Sequence, residues 1–193
     1  PTQTPVRIDL YDTQRSRKLT SYELPFTTTL ESLSPNGVLA VTRIADGTDR
    51  LDVWNLDEKS HVCGLRPYTH LGEDSRDRDI QAVAFVDDSH LLTMNNTSLT
   101  LHEIPTGRAI YEIALEQGGR PVLSPSRRFF ALLDGPAQAC HIFDVLSGQQ
   151  VGSIDCGAQP SGCGFHPSGE QLAVMIGSQS GGEVIIVGMA DGQ

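Results

Sequence analysis

HIFDVLSG, residues 141–148, is the stretch on which the reading of this chain turns. Residues that favour strands lead into an acid, three more follow, and a glycine closes the unit. A β-favouring run that ends on a polar, glycine-terminated cluster marks the tip of a hairpin. The run recurs as LHEIPTG at 101–107, VWNL at 53–56, LYDT at 10–13 and, more weakly, IVGMADG at 186–192. Tyr11, Trp54, His102, Phe143 and Val187 therefore take equivalent places, at steps of 43, 48, 41 and 44 residues.

A period of roughly 44 residues with one strand-turn signature per repeat is expected of a β-propeller blade. The predicted fold class is all-β, with β-propeller-type blades of four antiparallel strands, about four repeats and almost no α-helix. Working outward, a partial blade covers residues 6–24, blades follow at about 27–65, 80–115 and 119–155, and an incomplete one covers 159–193. All would belong to a single β-propeller domain or fragment over 1–193. Each blade carries a second turn, SPNG at 34–37, VDDS at 86–89, SPSR at 124–127 and HPSG at 166–169. Stretches such as 81–92 lack the stripe of an amphipathic helix, and Gly, Pro or Asn interrupts the chain at short intervals. Closing four blades into a ring would leave residues 6–13 redundant, so an open piece of a larger propeller is expected.

The closing glycine has a mechanical reason. A short hairpin loop wants a type I turn followed by a residue at positive φ, which Gly107 and Gly148 supply without strain. The oxygens of Asp144 and Ser147, and of Glu103 and Thr106, are then turn ligands and not catalytic groups. Trp54, Phe143, Tyr11 and His102 are expected to pack between neighbouring blades, where an aromatic ring buries a large area.

Composition narrows the function classes. The 193 residues carry a formal net charge of −10, and the densest basic run, Arg15–Lys18, is short and lies beside acids. A phosphate-tracking surface needs clustered Lys and Arg, so no nucleic-acid partner is expected. No apolar run approaches the roughly 18 residues that span a bilayer, and no membrane insertion is expected. The start PTQTPVRIDL has neither initiator Met nor a basic-then-apolar signal, which predicts a processed product or excised fragment and leaves the compartment open. Four cysteines without a C-x-x-C give no zinc ribbon. Cys63, Cys140, Cys156 and Cys163 read as small buried hydrophobes, with one alternative. Cys140 and Cys156 each stand eight residues from Gly148, so a symmetric hairpin would bring them nearly opposite and permit a disulfide. The six histidines, at 61, 70, 90, 102, 141 and 166, show no metal-ligand spacing, and no cofactor or catalytic motif is read.

The strand ends VWNL, LYDT and IFDV, with the S/H-P-x-G/R turns, resemble WD-repeat propellers, and QPSGCGFHPSGEQLAVMIG at 159–177 is similar to the YVTN-type repeats of bacterial propellers. The repeats are degenerate: Trp54-Asn55 and Phe143-Asp144 stand where an intact Trp-Asp pair would, and the Gly-His pair is missing. The buried His-Ser-Asp network of WD repeats is accordingly not expected here.

The function expected from these readings is a non-enzymatic scaffold that binds a protein partner through loops on one face. Two alternatives belong to other classes: a lactonase-like propeller hydrolase with a channel metal, and a sensor module of a larger bacterial protein. The binding face is placed by RPYTHLGEDSRDRD, residues 66–79, a long aperiodic stretch of mixed charge between two blades. Long loops without periodicity are more often functional than connecting. It is expected on the same face as the loops at 45–49, 95–97, 134–138 and 178–182. Tyr68, His70 and Arg78 are its candidate contact residues, because aromatics and Arg carry interface energy disproportionately. The competing reading of 66–79 is a tolerated polar insertion.

Overall fold

The computed structural model describes residues 6–24, 28–44, 49–71, 78–115, 121–178 and 181–189, and the described chain is all-β. Its first sheet is a hairpin of β1 (Val6–Asp12) and β2 (Arg17–Leu24). The second has the order β3 (Thr28–Leu33), β4 (Leu39–Ile44), β5 (Leu51–Asn55), β6 (Ser60–Leu65). The third follows with β7 (Ala82–Phe85), β8 (His90–Met94), β9 (Ser98–Glu103) and β10 (Ala109–Ala114). The fourth holds β11 (Val122–Leu123), β12 (Phe129–Asp134), β13 (Ala139–Asp144) and β14 (Gln150–Asp155). The fifth is three-stranded, β15 (Pro160–Phe165), β16 (Gln171–Ser178) and β17 (Gly181–Gly188). Thr69–Leu71 forms a 3-10 turn, and no α-helix occurs among the described residues.

The expectation of about four repeats is corrected to five sheets. Among the described residues β1 and β2 pair only with each other, and β15, β16 and β17 pair only among themselves. The chain divides into two compact units, residues 1–93 with 102–109 and residues 94–101 with 110–193, and strands of the third sheet fall in both. In the first unit Val41, Leu51, Val53, Leu65, Phe85, Leu91 and Ile104 make one core, and Ile8, Ala40 and Leu56 a smaller one with Trp54 against it. In the second, Ala131, Cys140, Ile142, Leu172, Val174 and Ile176 pack together.

The two turn types explain why the strands end where they do. Gly148 (φ 67°) and Gly107 (φ 71°) each donate a backbone hydrogen bond to the acid four residues earlier, at 2.9 and 2.8 Å. The acids act as turn ligands: Ser147 donates its amide and its hydroxyl to Asp144 Oδ1, and Thr106 its hydroxyl to Glu103 Oε2. At the second turn the Ser34 hydroxyl accepts the amide of Leu39 and the Ser124 hydroxyl that of Phe129, five residues on in both cases. VDDS is one residue shorter and closes through Val86 N–H to His90 O.

Where glycine is absent from the first turn, another residue takes its backbone conformation: Ser16 at φ 49° and Lys59 at φ 54°. A side chain at positive φ crowds its own carbonyl, which costs about 1–2 kcal/mol. Lys59 is exposed. Lys59→Gly is therefore expected to stabilise the fold by about 0.5–1 kcal/mol, the relief being partly offset by glycine's freedom in the unfolded chain. Urea denaturation compares the midpoints; a lower midpoint for the glycine variant would refute the strain.

Two further expectations are corrected. Tyr11 is 59% exposed and packs in none of the described cores, because its face of the two-stranded sheet is uncovered. Cys140 and Cys156 form no disulfide, and all four cysteines are free thiols. The hairpin is centred near Ser147 and not on Gly148, so Phe143 pairs with Gln150 and Cys140 with Ile154, two residues short of Cys156.

Candidate functional site

The long connection between β6 and β7 is tied down at both ends. Tyr68, 1% exposed, lies in the core of the first unit among Leu65, Ile80, Phe85, Leu91 and Ile104. Its hydroxyl is 3.0 Å from Thr93 Oγ1, which is itself 3.0 Å from His102 Nε2. Thr93 has one hydroxyl proton, so it donates to at most one of these neighbours and must accept from at least one. A phenol needs such a partner to be buried, and the chain Tyr68-Thr93-His102 supplies it. The corresponding positions of the second sheet form a shorter version, Trp54 Nε1 donating to Thr42 Oγ1 at 3.1 Å.

At the far end Arg78 Nη2 donates to Asp49 Oδ2 at 2.7 Å, joining the connection to the segment between β4 and β5. Arg43 Nη1 donates to the carbonyl of Ile80 at 2.6 Å while its Nε holds Glu31. Between these anchors the 3-10 turn exposes Thr69 and His70. The three residues singled out from sequence thus occupy three environments. Tyr68 is a core anchor, Arg78 a largely covered ion-pair partner, and His70 an exposed side chain. Residues 72–77 of the same stretch lie outside the described residues.

The loops at 45–49, 95–97, 134–138 and 178–182 join the second and third strands of their sheets, as expected; residues 45–48 and 179–180 lie outside the described set. In an antiparallel sheet the second and fourth strands end on the same side. The β6–β7 connection and the β4–β5 segment therefore share one end of the second sheet, and the Arg78–Asp49 ion pair joins them there.

A second polar constellation was not read from the sequence. His141 on β13 lies with Nε2 3.4 Å from Asp134 Oδ2 and Nδ1 3.1 Å from Ser153 Oγ. It borders an apolar recess of about 100 Å³ lined by Ile113, Leu115, Leu132 and Phe143. Acid, imidazole and hydroxyl in sequence invite a nucleophilic reading. The other sheets give it a different meaning. Two residues before Trp54, in the place of His141, stands Asp52, 4% exposed, with Arg50 and His61 each 3.0 Å away. Two residues before Tyr11 stands Asp9, held by Arg7, Lys18 and Ser21. The hydrogen bonds from Arg7, then Lys18 and Ser21, hold the Asp9 carboxyl well below its ordinary range. This strand position thus carries a cross-strand polar node in three sheets, and the node at His141 is a member of a structural series. Its visible signal is the repeated R-x-D at 7–9 and 50–52.

Among the described residues no group of three or more His, Cys, Asp or Glu side chains is arranged to hold a metal ion. No helix of the described residues is long and apolar enough to cross a membrane. No protein-family model matches the chain, and no curated protein matches it.

Proposed function

We propose that this chain is β-propeller material that acts as a non-enzymatic scaffold, holding a protein partner on loops at one face. The radial reading is supported by contacts between the first strands of successive sheets, β3 with β7 in the first unit and β11 with β15 in the second, where β12 also touches β15. The binding reading rests on one observation, the anchoring of the β6–β7 connection. A tolerated insertion has no need of a fully buried tyrosine, a carbonyl clamped by Arg43 and a 2.7 Å ion pair at its two feet. Fixed feet restrict a loop before a partner arrives, and such restriction reduces the entropy lost on binding.

The test replaces residues 72–77 with six Gly and Ser residues and leaves Tyr68 and Arg78 in place. A flexible linker of unchanged length leaves both feet where they are, so the melting temperature is expected to stay within about 2 °C. Recovery of bound protein by crosslinking and affinity purification is expected to fall about tenfold, the scale of a lost hot spot. Unchanged recovery with unchanged melting would remove the loop from the binding face.

A further inference from the structure

The recess beside His141 differs from the other polar nodes in the cation it lacks. In the first sheet Arg7 and Lys18 hold Asp9, and in the second Arg50 holds Asp52, the arginine standing two residues before the acid in both. The same place in the fourth sheet is Ala139, and the node itself is His141. The acid is Asp134, at the end of the neighbouring strand β12. Its Oδ1 accepts the amide of Ala137 at 2.9 Å, whereas its Oδ2 has His141 Nε2 at 3.4 Å, longer than a good hydrogen bond. No Lys or Arg is among the described residues that line the recess. The Asp134 side chain is partly exposed, so a cation can reach it from solvent.

We propose that this recess takes a lysine side chain presented by a protein partner, with the stem against Ile113, Leu132 and Phe143 and the ammonium on Asp134 Oδ2. The choice of a protein as the source of the lysine rests on the scaffold reading, and the recess borders the loop at 134–138 that this reading places on the binding face. The bound ammonium fills the place that Arg7 and Arg50 fill from within their own sheets.

Size, charge and geometry each select this occupant. A recess of about 100 Å³ holds about three water-sized groups, which suits most of an aliphatic stem and leaves the charged head at the mouth. Phe143, stacked on Phe130 at 4.9 Å, gives it an aromatic wall, and apolar walls favour a stem over a small hydrated ion. The second unit contains three arginines, no lysine and eight acids, a balance that draws cations toward it. Between the two long cations the carboxylate favours lysine. A guanidinium binds best as a fork on both oxygens, and Oδ1 is already engaged by Ala137; an ammonium is a point charge that needs one.

The experiment titrates the whole chain, labelled with nitrogen-15, with Nα-acetyl-lysine methylamide at constant ionic strength and follows backbone amide shifts. Saturable shifts are expected at Asp134, Gly135, His141 and Phe143, with half-saturation at about 1–10 mM, the scale of one buried stem and one ion pair. The norleucine counterpart keeps the four-carbon stem without the ammonium and is expected to bind about tenfold more weakly, and the arginine counterpart also more weakly than lysine. Asp134→Asn should cost the lysine probe the same tenfold and leave the norleucine probe unchanged, a pattern that a misfolded variant does not give. The proposal is overturned if norleucine or arginine binds the wild type as tightly as lysine, if no shift saturates by about 50 mM, or if the shifts lie away from the recess. Those comparisons are made on the wild type and stand even if the variant fails to fold. As the probe is a small molecule, its failure would remove the lysine site and leave the Gly and Ser replacement of residues 72–77 to decide the scaffold reading.

Discussion

Tyr68→Ala is expected to lower the unfolding free energy by about 3–5 kcal/mol, the cost of emptying the space of a large buried ring. Tyr68 is 1% exposed in a core that also holds Leu51, Phe85 and Leu91, so its removal leaves a cavity that fully enclosed neighbours must line. Tyr68→Phe keeps the ring and removes one link of the Tyr68-Thr93-His102 chain, and is expected to cost about 1–2 kcal/mol, as Thr93 is left with one partner fewer in a dry site. His70→Ala on the exposed turn is expected to change stability by less than about 0.5 kcal/mol. Urea denaturation of the three variants gives the order. If Tyr68→Ala were as stable as His70→Ala, the ring would not be an anchor. The series also separates two meanings of lost binding. Loss in His70→Ala at full stability points to a contact; loss in Tyr68→Ala comes with a loosened loop.

The second large effect belongs to the turn that organises the repeat. Gly148 stands at φ 67°, and a Cβ built on it would lie 3.0 Å from the ring carbons of Tyr111. That ring cannot swing away freely, because its hydroxyl donates to the carbonyl of Val145 at 2.6 Å in the same turn. Burial raises the Tyr111 pKa, so at neutral pH the phenol is protonated and able to donate. Gly148→Ala thus combines backbone strain of about 1–2 kcal/mol with overpacking of about 1–3 kcal/mol, and about 3 kcal/mol in all is expected. Gly37 is the control: its φ is 75°, and no atom lies within 4 Å of a Cβ there. Gly37→Ala should show the backbone share alone, about 1 kcal/mol. Equal losses at the two sites would show that the Tyr111 contact adds nothing.

Periodicity and turn chemistry are local, and the chain could be read for both. The glycine-terminated units predicted the hairpins at 103–107 and 144–148, the acids as turn ligands, and short antiparallel strands with almost no helix, all as found. The serine turns at 34 and 124 were equally legible, since a hydroxyl that caps an amide five residues on acts within one loop. The number of sheets was not, because it depends on which edge strands find partners, and that is a matter of long-range pairing. Tyr11 and Trp54 hold the same place in the repeat, yet one is exposed and the other packs against a core, as burial depends on what covers the face.

The candidate site divides along the same line. Sequence alone determined that residues 66–79 break the repeat and carry an aromatic, a histidine and an arginine. Only the tertiary structure decided that the aromatic turns inward to Thr93, that the arginine is spent on Asp49, and that the histidine faces solvent. Likewise the chain shows Cys140 and Cys163 as 23 residues apart with nothing to pair them. That both border one core depends on the packing of the fourth sheet on the fifth. Repeats and turns are set by backbone preferences that act over a few residues. Partners such as these are set by the burial of faces that only the assembled sheets possess.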